Sequence, residues 1–311
     1  MSNPSGKFQS PLLFPVRLNR DSLTVLDETA LPFEEKYHEV RDLAAAEKLV
    51  REMKTRSLGQ VLLFFGCAVL WENRVSPEEI ARRMHRARPT FDFEYLARLL
   101  RAWQRRGVPY RTATERFLAG FDAARKARAD ELASLLPSPA NVLTICNVNG
   151  ELLYLAQALS TRSVPVHVYV AETRPYLQGS RLTFWELQRA GVPSTLLCQS
   201  QAAEIMQQDT VNAVVTGADR ATVRGDIMNK IGTYALARCA RYFNIPVYAL
   251  TQYPRDVDID RIPLEERPPE EAFLFLPDSY PRVDAVYPAF DVTKKEYLTR
   301  SVELKVSSEI S

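Results

Sequence analysis

The chain has 311 residues, more than one average domain, of which 46% are hydrophobic and 25% charged. This composition supplies a sizeable core and excludes a mainly disordered chain. Lysine and arginine total 40 and aspartate and glutamate 38, so the net charge of +2 gives no overall field for nucleic acid or an anionic membrane. Segment 1–11 lacks the apolar stretch of a signal peptide, and no apolar run is long enough to span a bilayer. We therefore expect a cytoplasmic protein without nucleic-acid or membrane partners.

The four cysteines are far apart in the sequence, at Cys67, Cys146, Cys198 and Cys239. No pair has the short spacing of a zinc site or a redox motif, so we expect neither a metal nor a disulfide. Each cysteine is then a small buried hydrophobe or a lone reactive thiol, and residue type alone favours burial. We expect Cys67, Cys198 and Cys239 in the core.

The first half of the chain predicts helices. Segment 38–54 carries apolar residues at helical spacing, and segment 75–84 begins with a serine cap followed by proline and two glutamates. Further amphipathic helices are predicted at 93–103 and 115–136. The sequence therefore predicts a mainly helical N-terminal domain over residues 1–136.

From Ala140 the pattern changes to short β-rich runs that alternate with helical stretches. Strands are predicted at 141–146, 165–171, 194–197, 211–216 and 245–250, and helices at 151–160, 181–190, 201–208 and 227–243. This alternation indicates βαβ units and a parallel sheet. We therefore predict an α/β fold, with a Rossmann-like C-terminal domain over residues 137–311 and a linker at Pro137-Ser138-Pro139.

Residues that directly follow the predicted strands are the first candidates for a site, because open parallel sheets bind ligands beyond the carboxyl ends of their strands. Cys146 ends one predicted strand and Asp219 follows another, which places both at one edge of the sheet. A thiol and a carboxylate there can act as an acid–base pair on one substrate. The alternative role for Asp219 is an ion pair with Arg220 or a helix cap. Tyr253, after the last predicted strand, lines the pocket or is an ordinary loop residue.

Several short sequence motifs then point to one protein family. They are Leu26-Asp27-Glu28-Thr29-Ala30-Leu31-Pro32, Glu172-Thr173-Arg174-Pro175, Gly217-Ala218-Asp219-Arg220, Asn229-Lys230-Ile231-Gly232-Thr233 and Pro288-Ala289-Phe290-Asp291-Val292-Thr293. In this order they resemble the methylthioribose-1-phosphate isomerase family. That family is related to ribose-1,5-bisphosphate isomerases and to regulatory subunits of the translation-initiation exchange factor. The resemblance runs from about residue 12 to residue 300.

The resemblance implies roles for eight residues. Cys146, in Thr144-Ile145-Cys146-Asn147, matches the catalytic cysteine, and Asp219 matches the general acid. The implied substrate contacts are Arg56, Ser57, Arg88, Gln178, Asn229 and Lys230. Arg56 is the first residue of the family's Arg-Gly-Ala-Pro motif, and the other three residues differ here. Ser57 takes the place of the glycine, and it would contact the substrate through its hydroxyl.

These residue types suit isomerisation of an aldose whose C1 oxygen carries phosphate. Ring opening needs an acid at the ring oxygen, which a buried protonated carboxyl can supply. A base near C2 is needed if a proton moves, and a thiol of lowered pKa can be that base. Arginine and lysine suit the phosphate. The sequence does not show whether hydrogen moves as a proton or as a hydride. We expect no cofactor, because the chain carries no dinucleotide fingerprint.

The chain departs from the family pattern at several positions, so the sequence does not identify the exact substrate. Ile145 replaces a histidine, Arg224 replaces an asparagine, and the loop 148–151 is altered. We expect conversion of 5-methylthioribose 1-phosphate, or a related 5-substituted ribose 1-phosphate, to the ribulose 1-phosphate. The alternative is a non-catalytic sugar-phosphate or nucleotide sensor, or a regulatory subunit; retention of both Cys146 and Asp219 favours the enzyme. The resemblance also implies a homodimer, with the site in the cleft between the domains.

Overall fold

The computed structural model describes residues 8–89, 91–252, 258–262, 264–273, 276 and 284–306. Contacts within the chain form two compact units, whose main segments are Gln9–Ala124 and Arg125–Lys305. We call them the N-terminal and C-terminal units. The division falls inside the helix Tyr110–Ala133, whereas the sequence places the domain boundary after residue 136. Within the described ranges, no helix is both long and apolar enough to cross a membrane.

The N-terminal unit begins with an antiparallel sheet in the order β1-β2-β3 and continues with helices. The strands are β1 (Val16–Leu18), β2 (Leu23–Leu26) and β3 (Tyr37–Val40), and the helices are α1 (Leu43–Arg51), α2 (Leu58–Leu70), α3 (Pro77–Ala87), α4 (Phe93–Arg105) and α5 (Tyr110–Ala133). The apolar run that dominates α2 buries Phe64 and Phe65 against Phe93 and Trp103. The mainly helical character predicted for this half is therefore present, with a small sheet before it.

The C-terminal unit contains a parallel sheet, and the part of the chain that is described gives it six strands in the order β12-β10-β7-β4-β5-β6. The strands are β4 (Ala140–Ile145), β5 (Val166–Ala171), β6 (Ser194–Leu197), β7 (Ala213–Gly217), β10 (Val247–Thr251) and β12 (Arg300–Glu303). Neighbouring β4 residues pack into different cores, Val142 into one and Leu143 into the other, so both faces of the sheet are covered. The predicted α/β fold is confirmed.

Helices and a second, antiparallel sheet complete this unit. The helices are α6 (Glu151–Thr161), α7 (Trp185–Arg189), α8 (Ala202–Gln207) and α9 (Thr233–Tyr242), and a π-helix (Gly179–Phe184) precedes α7. The second sheet joins β8 (Arg220–Ala221), β9 (Ile227–Lys230) and β11 (Phe290–Thr293) in the order β11-β9-β8.

Two of the predicted helices are wrong in their first residues. Segment 38–54 is a helix only from Leu43, where Asp42 caps α1 by accepting the Ala45 N–H at 2.8 Å. The residues before it pair with β2. Segment 227–243 is likewise the strand β9 before α9, because β9 pairs with β11, about sixty residues later in the chain. In both cases a long-range pairing overrides the local helical spacing.

The cysteines occupy different environments. Cys67 is buried in the N-terminal core, where desolvation raises the pKa of its thiol, and Cys239 is half-buried against a C-terminal core. Cys198 is exposed, so its predicted burial is wrong. It follows β6, a short strand at the edge of the sheet, and lies before a single turn of 3₁₀-helix on the surface.

Candidate active site

Cys146 lies where two central strands end side by side. Ile145 of β4 and Ala171 of β5 are register partners, and Cys146 is the next residue. Its backbone is left-handed, with φ 66°, which is uncommon for a residue other than glycine. Its N–H donates to Oγ1 of Thr173 at 2.8 Å, and its carbonyl accepts from Oγ1 of Thr183 at 2.6 Å. The residue itself is half-buried.

Asp219 follows the neighbouring strand on the other side of β4. Thr216 of β7 is the register partner of Ile145, and the chain then passes through Gly217 to Asp219. A methyl group added at Gly217 would lie 3.0 Å from Cγ1 of Val148, so the segment after β4 packs against the end of β7. Cys146 and Asp219 thus follow adjacent parallel strands at the same edge of the sheet.

Asn229 is tied directly to this edge. Its side-chain Nδ2 donates to Oγ1 of Thr216 at 2.8 Å and to Oγ1 of Thr233 at 2.9 Å. The first bond joins β9 to the end of β7, and the second joins it to the first residue of α9. The amide is buried, and these bonds fix its orientation beside the strand that leads to Asp219.

Lys230 is buried, although it carries an ammonium group. Its Nζ lies 5.1 Å from the ring centroid of Phe290, 5.9 Å from that of Tyr176 and 6.0 Å from that of Tyr287. Aromatic faces stabilise a cation that has lost water. The ring faces therefore form an environment around Nζ that favours a cation.

Gln178 lies directly before the π-helix and is 4% exposed. Among the described residues, no hydrogen-bond donor reaches its Oε1. A buried amide oxygen without a donor is unusual and marks a place where a ligand or water can bind. The next residue must be glycine, because a methyl group at Gly179 would overlap the carbonyl oxygen of Ala171. This close approach holds Gln178 at the end of β5.

The other three predicted residues belong to the N-terminal unit. Arg88 directly follows α3 and is buried, and its Nη1 donates to Oε1 of Gln60 at 2.7 Å. Gln60 in turn donates from Nε2 to the carbonyl of Thr55 at 2.9 Å. Through Gln60 of α2, Arg88 is therefore held against the segment that contains Arg56 and Ser57.

A buried carboxyl group organises that segment. Glu28 accepts the Arg56 N–H at 2.8 Å and the Oγ1 hydroxyl of Thr55 at 3.0 Å. Burial raises the pKa of Glu28, and the positive charges of Arg56 and Arg88 act in the opposite direction. Ser57 follows at the start of α2 with φ 40°, and its side chain makes no capping hydrogen bond. Arg56, Ser57 and Arg88 thus form one cluster around Glu28.

Asp291 is a further ionisable residue of the C-terminal unit, on the edge strand β11 of the antiparallel sheet. It is the register partner of Asn229, and its carboxylate accepts the N–H groups of Gly232 at 2.7 Å and Tyr234 at 3.1 Å. Burial raises the pKa of Asp291 to about 6, although these two backbone bonds lower it. The sequence contains Asp291 in a matched word but gives it no role, because its partners lie about sixty positions earlier.

Tyr253 lies outside the described residues. Within the ranges that are described, no group of three or more His, Cys, Asp or Glu side chains is arranged to hold a metal ion.

Known proteins match both the sequence and the fold. The model of the initiation factor 2 subunit family matches residues 43–302. The methylthioribose-1-phosphate isomerase of Chloroflexus aurantiacus is 33% identical over 90% of each chain, and one from Thermus thermophilus is 38% identical over 88% of each. The crystal structure of 5-methylthioribose 1-phosphate isomerase from Pyrococcus horikoshii OT3 has a TM-score of 0.77 at 26% identity, covering 95% of this chain and 93% of that one. Translation initiation factor eIF-2B, subunit delta, from A. fulgidus has a TM-score of 0.73 at 28% identity, covering 93% of each.

The family model covers most of the chain, so the chain belongs to the initiation factor 2 subunit family. Solved structures that share its fold are named as an isomerase and as a translation initiation factor. Relatives of 33% and 38% identity cover most of the chain and carry one name. The chain therefore belongs to the methylthioribose-1-phosphate isomerase family within this larger family.

Proposed function

We propose that the chain is an aldose–ketose isomerase, an intramolecular oxidoreductase that converts a pentose 1-phosphate to the ribulose 1-phosphate. The substrate is 5-methylthioribose 1-phosphate or a related 5-substituted ribose 1-phosphate. The relatives named as methylthioribose-1-phosphate isomerases support this proposal. The observation that carries it is the position of Cys146 and Asp219 after the adjacent strands β4 and β7.

The chemistry assigns a proton donor and a base. Asp219 donates a proton to the ring oxygen as the bond between C1 and that oxygen breaks. The hydrogen on C2 then ends on C1, and the C2 hydroxyl loses its proton to become a carbonyl. In an enediol route, Cys146 takes the proton from C2 and returns it to C1, and the Asp219 carboxylate, ionised by the ring opening, takes the proton of the C2 hydroxyl. In a hydride route, hydride passes directly from C2 to C1 and Cys146 takes the proton of the C2 hydroxyl. No atom is gained or lost overall, so the reaction needs no external oxidant or reductant.

The remaining site residues bind the substrate in this proposal. Arg56 and Arg88 are phosphate ligands, and the Ser57 hydroxyl assists them. In the C-terminal unit, the buried Lys230 binds an anionic oxygen, and Gln178 and Asn229 contact the sugar hydroxyls. The donor-free Oε1 of Gln178 supports this role, because a sugar hydroxyl can donate to it.

A second candidate function is a regulatory or sugar-phosphate-sensing subunit. The similarity to eIF-2B subunit delta, with its TM-score of 0.73, favours it. A binding module has no need for a thiol and a carboxyl group at one strand edge, which is why the isomerase is our first proposal. On the basis of the family resemblance, we also propose that the protein forms a homodimer.

We further propose that it acts in the cytoplasm, because phosphorylated sugars do not cross membranes.

A substrate panel followed by ¹³C and ³¹P NMR tests the proposal. The panel contains the 1-phosphates of 5-methylthioribose, 5-deoxyribose and ribose, and ribose 1,5-bisphosphate. We expect a C2 carbonyl resonance to appear with at least one member. Absence of turnover of every member by well-folded protein would overturn the isomerase, and calorimetric binding without turnover would favour the sensor.

A further inference from the structure

The backbone is left-handed within two residues of the ends of the neighbouring strands β4 and β5. It becomes left-handed at Cys146, one residue after Ile145, with φ 66°, and at Thr173, two residues after its register partner Ala171, with φ 67°. A β-branched residue such as threonine avoids this region more than most residues do. Such conformations persist only where the surroundings impose them, and they are frequent at functional sites.

Buried hydroxyl groups hold both peptide units that flank the Cys146 Cα. Thr173 accepts the Cys146 N–H at 2.8 Å and donates its own proton to the Ala171 carbonyl at 2.9 Å. Thr183, in the π-helix, donates to the Cys146 carbonyl at 2.6 Å. The two threonines are no more than 1% exposed, so water does not compete for these bonds.

This arrangement determines the direction in which the Cys146 side chain leaves the backbone. The N–H of Cys146 belongs to the peptide unit before its Cα, and the carbonyl belongs to the unit after it. When both units are fixed, φ and ψ are fixed, and with them the direction of the Cα–Cβ bond. Neither threonine needs to touch the substrate in order to affect the reaction.

The two threonines are themselves held by packing and hydrogen bonds. A methyl group at Gly179 would lie 2.9 Å from Oγ1 of Thr173, so the start of the π-helix packs tightly on that hydroxyl. Oγ1 of Thr183 accepts from Nδ2 of Asn147 at 3.1 Å, and the same Nδ2 donates to Glu186 at 2.8 Å. The network therefore includes the residue that follows Cys146.

We propose that Thr173 and Thr183 are positioning residues of the isomerase, whose hydroxyls keep Cys146 in the left-handed conformation that directs its side chain. The proposal rests on the function proposed for Cys146. Because the threonines act through the backbone of Cys146, their loss should lower kcat and alter the reactivity of the thiol, with little effect on substrate affinity.

Four variants test this inference, Thr173→Val, Thr173→Ser, Thr183→Val and Thr183→Ser. Valine keeps the shape and removes the hydroxyl, whereas serine keeps the hydroxyl. We expect each valine variant to lower kcat by about 10- to 100-fold, the effect of a misplaced reacting group, with KM within about threefold of the wild-type value. Each serine variant should recover kcat to within about threefold of wild type.

Thiol alkylation supplies a readout that does not depend on turnover. The rate of carbamidomethylation of Cys146 by iodoacetamide is followed against pH by mass spectrometry of its peptide. The valine variants should shift this profile, and the exposed Cys198 in the same sample should react at its wild-type rate.

Thr114→Val is the matched control, since in the described chain Thr114 is a buried threonine whose Oγ1 has no hydrogen-bond partner.

The outcomes separate the two proposals. Wild-type kcat and an unchanged Cys146 profile in both valine variants would overturn the positioning role. Equal losses in valine and serine variants would assign the threonines to stability alone, and would also overturn it. If Thr173→Val does not fold, Thr183→Val gives the same comparison. If the wild type turns over no sugar phosphate, the proposed function fails, whereas the alkylation profiles still decide whether the threonines position the thiol.

Discussion

At the scale of single residues, the N-terminal unit sets a carboxyl group among the arginines that we propose as phosphate ligands. Glu28 is 2% exposed, accepts the Arg56 N–H, and lies close enough to Arg56 and Arg88 for both to affect its pKa. An ionised Glu28 would compete with a phosphate for these two cations, and the burial that raises its pKa reduces this competition.

Substitution of Glu28 separates its charge from its hydrogen bonds. Glu28→Gln keeps an acceptor for Arg56 and removes the negative charge, so KM for a sugar 1-phosphate should equal or fall below the wild-type value. Glu28→Ala leaves the Arg56 N–H and the Thr55 hydroxyl without their acceptor. It should lower the free energy of unfolding by about 1–3 kcal/mol and raise KM. Steady-state kinetics and urea unfolding measure both effects, and an equal rise in KM in the two variants would contradict the account.

At the residue scale, the sequence supports a prediction only where the signal is local. Cys146 and Asp219 are predicted as site residues because each lies in a short motif at or just after the end of a predicted strand. Thr173 and Thr183 were given no role, because their bonds to Cys146 span 27 and 37 residues. Asp291 reaches Gly232 across 59 residues. Such partners depend on strand register, which a single sequence does not specify.

At the scale of secondary-structure elements, the start of α9 depends on a residue from another strand. Gly232 and Tyr234 donate to the Asp291 carboxylate of β11, so a side chain from outside the helix caps it. The helix dipole and the two N–H groups favour the ionised carboxylate. Burial outweighs them and raises its pKa to about 6.

This pKa predicts a definite pH dependence of stability. Asp291 binds its proton more tightly in the folded chain, from a usual pKa of 3.8 to about 6, so its ionisation destabilises the folded state. Its contribution to the free energy of unfolding should fall by about 2 kcal/mol as the pH rises from 4 to 7, and stay constant above that. The stability of the wild type minus that of Asp291→Asn, from urea unfolding at each pH, isolates this group.

A difference that is flat or that rises across this range would contradict the assignment. Asp27 does not interfere. Burial acts to raise its pKa, but hydrogen bonds from Thr29, His38 and Lys54 lower the pKa of Asp27 to about 2. It therefore titrates below this window, and it does so in both proteins.

The π-helix gives a second prediction at this scale. A methyl group at Gly179 would overlap the backbone carbonyl of Ala171, which cannot move without disturbing the end of β5. Gly179→Ala should lower the free energy of unfolding by about 1–3 kcal/mol or more and reduce kcat, because Gln178 and Thr173 flank the contact. Gly191→Ala is the control, since its φ of 71° is strained for alanine but its surroundings are open. That control should cost about 1 kcal/mol and leave kcat unchanged. Equal losses in the two variants would show that the contact at Gly179 is not tight.

At the scale of the whole molecule, periodicity determined the fold class. Five strands of the parallel sheet are predicted because each is a short β-rich run that alternates with a helical stretch. The sixth, β12, was missed because Arg300–Glu303 is a half-exposed edge strand with a single buried residue. The N-terminal sheet was missed for a similar reason, since β1 is only three residues long and none of them is fully buried.

The proposed reaction depends on a thiol and a carboxyl group that follow neighbouring strands of this fold. Its most direct test is kcat for conversion of 5-methylthioribose 1-phosphate by wild type, Cys146→Ser and Asp219→Asn, with folding checked by circular dichroism. We predict measurable turnover by the wild type and a loss of about 100-fold or more in each variant, as expected for removal of a general acid or base. A kcat close to the wild-type value in either variant would contradict the account and remove that residue from the mechanism.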